Sequence, residues 1–275
     1  MAERITSYTR NGLRFDVLDE GPVDGEVVVL LHGFPQLNTS WHKVAPLLHS
    51  HGYRTLAPNQ RGYSPGARPK GRRPYVSGEL VADVVALIEL AGGSAHVVGH
   101  DWGAAVAWAL AMTKPDRVKT LTAVSVPHPR ALRLALRVRP SQRARFAYMA
   151  VFRSPVAERL LLAGGGTVLK QMMKQIGGRA ALYADAMREP GRLTGGLNWY
   201  RALSGDQLAG AGVVNVPTTY VWSDKDPVVG MLAALRTGDW VEADYQLVAM
   251  RGVSHWVPEE APKELADAVL ARIGV

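Results

Sequence analysis

Val97-Val98-Gly99-His100-Asp101-Trp102-Gly103 is the stretch whose reading decides the fold. Four of the five residues from Ser94 to Val98 are small or apolar, as a buried strand requires, and Ala104-Ala105-Val106-Ala107-Trp108-Ala109-Leu110-Ala111-Met112 reads as a tightly packed helix. A strand that turns straight into a helix crowds the backbone at the turn, so its neighbours must be small. Gly99 and Gly103 meet that need and leave Asp101 at the apex of a G-x-D-x-G turn. The helix N-terminus favours negative charge at that apex.

Outward from this turn, the chain alternates strand and helix patterns. Ile5 to Thr9 and Leu13 to Leu18 predict an antiparallel pair around Asn11-Gly12. Val27-Val28-Val29-Leu30-Leu31 is apolar throughout, as a strand covered on both faces must be, and it runs into His32-Gly33-Phe34-Pro35. Thr39-Ser40 is expected to cap a helix carrying Trp41, Val44, Leu47 and Leu48. Tyr53 to Ala57 predicts a short strand, and a Gly-, Pro- and Arg-rich loop follows from Pro58 to Pro74. Ser77 opens a patterned helix that Gly92-Gly93 ends. Val118 to Val126 is the next strand. From Pro129 to about Gly212 the strand pattern disappears into Ala-, Leu- and Arg-rich sequence broken at Gly164-Gly165-Gly166, Gly177-Gly178 and Gly195-Gly196. Strands resume at Thr218-Thr219-Tyr220-Val221-Trp222 and Tyr245 to Met250, with helices expected from about Pro227 to Leu235 and Pro262 to Ile273. This order predicts an α/β fold: a mostly parallel sheet with helices on both faces. A first core part spans 1–128, a helical lid is inserted at 129–212, and a second core part spans 213–275.

In open α/β sheets ligands bind beyond the carboxyl ends of the strands. Three reactive residues fall there. Asp101 follows one strand, Asp226 in Trp222-Ser223-Asp224-Lys225-Asp226-Pro227 follows another, and His255 in Gly252-Val253-Ser254-His255-Trp256 follows the last. A nucleophile, an acid and a histidine in that order match the hydrolytic triad order of this architecture. Asp224 is the rival acid, and Asp226 is preferred for its motif position, although a place before Pro227 would also suit a helix cap. His32 and His100 are expected to stabilise loops.

Composition excludes other classes. The chain has 275 residues, 47% of them hydrophobic and 20% charged, as in globular proteins. It has no cysteine, so thiolate chemistry and disulfides are excluded. No apolar run approaches the roughly 18 residues of a membrane span, and nothing near Met1 resembles a signal peptide, so a cytoplasmic location is expected. The formal net charge is +8. Much of the excess lies at Arg130, Arg133, Arg137, Arg139, Arg143, Arg145 and Arg153, with Leu132, Leu134, Leu136 and Phe146 between them. That stretch reads as a solvated helical face, or as a surface for weak association with anionic membrane lipid. No nucleic-acid motif accompanies the charge, so no nucleic-acid partner is expected.

From His32-Gly33-Phe34-Pro35 through Gly99-His100-Asp101-Trp102-Gly103 to Gly252-Val253-Ser254-His255-Trp256, the chain resembles the soluble, lidded epoxide hydrolases of the α/β-hydrolase fold. The insertion carries the distinguishing likeness. Leu197-Asn198-Trp199-Tyr200-Arg201 matches the lid motif that carries one ring-opening tyrosine, and Phe146-Ala147-Tyr148-Met149 with Phe152 resembles the segment that carries the other. The resemblance implies a nucleophile at Asp101, a base at His255 oriented and charge-compensated by Asp226, paired acids at Tyr148 and Tyr200, and oxyanion donors at the backbone N–H groups of Phe34 and Trp102. It implies a small hydrophobic epoxide as substrate and neither metal nor organic cofactor. The assembly could be a monomer or a homodimer.

A carboxylate ionises near pH 3.9 and suits displacement at a strained sp³ carbon, since the alkyl ester formed is stable. Two alternatives share much of this pattern. A haloalkane or haloacetate dehalogenase would use the same Asp101 but would need N–H donors for halide. A non-catalytic ligand-binding member of the fold would ordinarily lack a triad residue, and none is missing here.

Overall fold

The computed structural model describes residues 3–204 and 211–274; part of the expected insertion, 205–210, lies outside the described residues. Eight strands form one sheet: β1 (Ser7–Arg10), β2 (Leu13–Glu20), β3 (Val27–Leu31), β4 (Arg54–Pro58), β5 (Ala95–His100), β6 (Val118–Val124), β7 (Thr218–Ser223) and β8 (Tyr245–Met250). Their spatial order is β1-β2-β4-β3-β5-β6-β7-β8. β1 and β2 pair antiparallel, β2 joins β4 antiparallel, and every later pairing is parallel.

The apolar run of β3 shows why the sheet is covered twice. Val27, Val29 and Leu31 enter one hydrophobic cluster with α2 (Ser77–Leu90) and α3 (Trp102–Thr113), whereas Val28 and Leu30 enter another with α1 (Ala45–His49) and the C-terminal helix Pro262–Ile273. Successive strand residues point to opposite faces, so an unbroken apolar strand must meet helices on both.

Two expected helices begin elsewhere. The helix expected after Thr39-Ser40 is a 3₁₀ turn, Asn38–Trp41, followed by the short α1. Asn38 is tied to the end of β4, its side-chain amide donating to the Ala57 carbonyl at 3.2 Å, and Pro46 opens the next helix instead. The helix expected from Pro227 begins only at Met231 and ends at Leu235. Asp226 Oδ1 accepts from the N–H groups of Val228 and Val229 at 2.6 and 3.1 Å, winding the chain into its own turn first.

Among the described residues, six α-helices lie between β6 and β7: α4 (Pro129–Val138), α5 (Pro140–Arg145), α6 (Tyr148–Arg153), α7 (Ala157–Met172), α8 (Gly178–Ala186) and α9 (Arg192–Ala202). Gly164, Gly165 and Gly166 kink α7 at positive φ. Gly195-Gly196, expected as a break, instead lies within α9. A Cβ on Gly195 would sit 2.5 Å from the Gly62 Cα, so Gly195 lets helix and core backbone touch, while a Cβ on Gly196 would sit 2.9 Å from the Phe34 ring. The Trp199 indole donates to the Arg61 carbonyl at 2.9 Å and completes the seat. That contact fixes Tyr200 above the carboxyl ends of the strands.

Candidate active site

At the turn from β5 into α3, Asp101 has φ 53° and ψ −120°, a conformation that costs a non-glycine residue energy. The neighbours explain the G-x-D-x-G pattern. A Cβ on Gly99 would lie 2.3 Å from the Gly103 carbonyl oxygen, and one on Gly103 would lie 2.0 Å from that of Leu31. Tight packing thus lifts the Asp101 carboxylate out of the sheet. Its Oδ1 accepts from the Phe34 N–H at 2.9 Å. Burial opposes the charged form, but hydrogen bonding and charge from His255, with help from the Trp102 N–H, hold the carboxyl below its usual range.

His255 lies between two carboxylates. Its Nδ1 is 2.9 Å from Asp226 Oδ2 and its Nε2 is 3.3 Å from Asp101 Oδ2. Asp224 faces away and accepts from the Gly252 N–H at 2.7 Å, so Asp226 is the histidine's partner. The ring's backbone is fixed as well: His100 Nε2 lies 2.8 Å and the Ser125 hydroxyl donates at 2.9 Å from the His255 carbonyl. Burial lowers the proton affinity of His255, but Asp226 and Asp101 outweigh it and raise its pKa to about 10. The remaining core histidines move the other way. Burial lowers both His32 and His100 to about 4, so they are neutral hydrogen-bonding groups. The Gln60 N–H donates to His32 Nε2 at 3.2 Å, which leaves the proton on Nδ1 to bond the Gly33 carbonyl at 3.1 Å.

A histidine whose pKa is raised on folding stabilises the native state fully below its unfolded value, near 6.5, and that contribution fades as the pH rises through about 10. Urea midpoints measured at pH 7 and pH 10.5 should therefore fall more for the wild type than for His255→Gln. Equal falls would show that the ring carries no extra proton.

Above the carboxylate, Tyr148 from α6 and Tyr200 from α9 meet edge to face with ring centroids 6.3 Å apart. Phe152 packs on both, at 5.0 Å from each, and Phe34 contacts Tyr200 at 5.5 Å. Burial, then neighbouring charge, pushes both phenols well above their usual pKa, so both are neutral O–H donors. A side-chain hydrogen bond from Trp102 works in the opposite direction on Tyr200.

Two cavities open onto this group. The smaller, about 90 Å³, is walled by Trp102, Ala105, Leu132, Met149 and Leu203. The larger, about 570 Å³, is walled by Phe34, Phe152, Leu161, Met172 and Trp256. Asp101, Tyr148, Tyr200 and Val228 border both, whereas His255 borders only the larger. All five side chains singled out in the sequence therefore converge: four line the cavities, and Asp226 stands behind the imidazole.

A family profile described as the alpha/beta hydrolase fold matches residues 26–161. The AB hydrolase superfamily protein YfhM of Bacillus subtilis is 34% identical, with 94% of each chain covered. Epoxide hydrolase A of Mycobacterium tuberculosis is 33% identical, again over 94% of each. The crystal structure of Epoxide Hydrolase A from Mycobacterium thermoresistibile superposes with a TM-score of 0.83 at 30% identity, covering 97% of both chains.

The chain belongs to the epoxide hydrolases of the α/β-hydrolase family. In this epoxide hydrolase several supporting residues had no signal in the sequence. Ser125 lies just past β6 with φ 68°, where it reaches the His255 carbonyl, and the Tyr220 hydroxyl donates to the Ser125 carbonyl at 2.7 Å. Arg145 donates to the Asp226 carbonyl at 2.7 Å, and the Trp222 indole donates to that of Val229 at 3.0 Å, fixing the loop that carries Asp226. An isolated serine or arginine in a sequence announces none of this; only unusual backbone geometry and long-range contacts reveal it. Among the described residues no group of three or more His, Asp or Glu side chains could hold a metal ion.

Proposed function

We propose that the enzyme opens small hydrophobic epoxides to vicinal diols through an ester on Asp101. The observation that carries this reading is a buried carboxylate facing two neutral phenols across one apolar cavity, with a histidine–carboxylate pair beside it. With Oδ1 engaged by Phe34, Oδ2 attacks an epoxide carbon and gives up its 3.3 Å contact with His255 Nε2 as it does so. The ring C–O bond breaks, its electron pair stays on oxygen, and that oxygen takes a proton from Tyr148 or Tyr200. Phenols held out of water are effective here, because a neutral donor meets a developing alkoxide in a low-dielectric site.

Ester formation removes the charge of Asp101 and with it one of the two carboxylates that keep His255 protonated. The ring's proton affinity falls, it releases the proton that restores the tyrosine, and it becomes a base only once the ester exists. Because His255 borders only the larger cavity, the attacking water is drawn from that side. His255 takes a proton from this water, whose oxygen adds to the Asp101 carbonyl carbon. The oxyanion forms on Oδ1, where the Phe34 N–H already donates and the Trp102 N–H at the start of α3 assists. Collapse of the adduct breaks the Cγ–Oδ2 bond; Oδ2 leaves as a hydroxyl of the diol with a proton returned by His255, and the new carboxyl group gives its own proton back to the imidazole. Neither metal nor organic cofactor enters this scheme.

Assays of a styrene-type epoxide panel, with diol and halide detection on parallel haloalkanes, test the reading; halide release without diol formation would favour the dehalogenase. The Trp102 indole is engaged with Tyr200, which supports the epoxide reading over a halide-binding one. Tyr200→Phe and Tyr148→Phe should each slow the alkylation step in single-turnover experiments by about 10²-fold, and the double variant by about 10⁴-fold, the usual span for a general acid. Slower ester hydrolysis at an unchanged alkylation rate would place the phenols in the wrong step.

A further inference from the structure

We infer that the face of the lid around the mouth of the larger cavity docks on an anionic phospholipid bilayer. From Pro129 to Lys174 the chain carries eight arginines and two lysines against a single acid, Glu158. That acid is already paired with Arg201 at 2.7 Å. Among the described residues, none of the eight arginines forms an ion pair, whereas arginines on the core such as Arg10, Arg54 and Arg61 are matched to Asp or Glu. An unmatched excess of this kind sets up a positive field that only an external anionic partner can answer.

The apolar residues of the same face argue for a lipid surface over a soluble polyanion. Val151, Leu160 and Val168 line the larger cavity and yet are 44%, 44% and 45% exposed, so they form its rim; Val156, 46% exposed, lies between the first two in sequence. Arg153 and Arg159 are exposed beside them. Arg145 borders both that cavity and a second groove of about 320 Å³, where Arg139 adjoins Met231 and Leu235, themselves 60% and 58% exposed. Arginines interleaved with exposed aliphatic side chains around an opening match an interfacial surface: guanidinium groups meet lipid phosphates while short apolar side chains enter the headgroup boundary. The opening would then face the phase in which apolar molecules concentrate.

Flotation of the intact protein with vesicles tests this without reference to turnover. The wild type should bind phosphatidylcholine vesicles containing 30–40% phosphatidylglycerol, about the anionic share that gives a strong surface potential. It should not bind pure phosphatidylcholine, and roughly 0.5 M salt should release it. The triple variant R139E/R153E/R159E should bind the anionic vesicles at least about 100-fold more weakly, given roughly fivefold per basic residue lost and further repulsion from the three carboxylates added. V156D should weaken binding with no loss of basic charge on the face. Both variants should keep the wild-type circular dichroism and its rate on a water-soluble epoxide. No flotation of the wild type, or equal flotation of the triple variant, would overturn the inference. So would a wild-type dimer that the triple variant dissolves, since the face would then be covered by a second copy.

Discussion

Asp101→Ala is expected to reduce diol formation by about 10⁴-fold or more, the scale on which loss of a covalent nucleophile is felt. The reason is positional as well as chemical. The Asp101 carboxylate is the one that borders both cavities, receives the Phe34 N–H and contacts His255, and among the described residues no second carboxylate lines either space. The phenols and the histidine would remain, but water attacking an epoxide directly has no group oriented to activate it at the far side of the breaking bond. Steady-state diol production, measured beside circular dichroism to show an intact fold, checks this. A rate within tenfold of wild type would remove Asp101 from the reaction and the ester with it.

His255→Gln is expected to separate the two halves of the reaction. Glutamine can still donate to Asp226 yet cannot accept a proton from water, so attack by Asp101 should proceed while hydrolysis of the ester stalls. Turnover should drop by about 10³- to 10⁴-fold, comparable to the loss of an oriented base in other acyl-transfer sites. Intact-protein mass spectrometry after mixing with excess epoxide should show a gain equal to the whole mass of the substrate, because ring opening is an addition and nothing leaves. A burst of one equivalent followed by near-arrest is the kinetic counterpart. Stalled turnover without an adduct would mean that His255 is needed before the ester, for instance to steady Asp101 itself.

The pKa of His255 links these two results. In the free enzyme it lies between Asp226 and Asp101, and both keep a proton on it. A base already protonated at neutral pH looks unsuited to its task until one carboxylate is consumed as an ester. On the proposed ester route, the electrostatics of the pair would set the order of the steps, with the histidine serving as a base only after the ester has formed.

The sequence by itself determined the alternation of strands and helices, because uninterrupted apolar runs such as Val27 to Leu31 are stable only between two helical layers. It also determined the reactive types, since Asp101, Asp226 and His255 each follow a strand, and a strand's end fixes where its next residues emerge. Tertiary structure alone decided the rest. Asp226, already preferred over Asp224 in the sequence, is brought to the imidazole by the tertiary fold, and Gly195 lies within α9 against the Gly62 backbone, where no side chain fits. The shape of the two cavities and the support of His255 by Ser125 and His100 likewise depend on groups distant along the chain. Local patterns record how a segment buries itself, whereas these features arise from which segments meet, and that is set only when the whole core has closed.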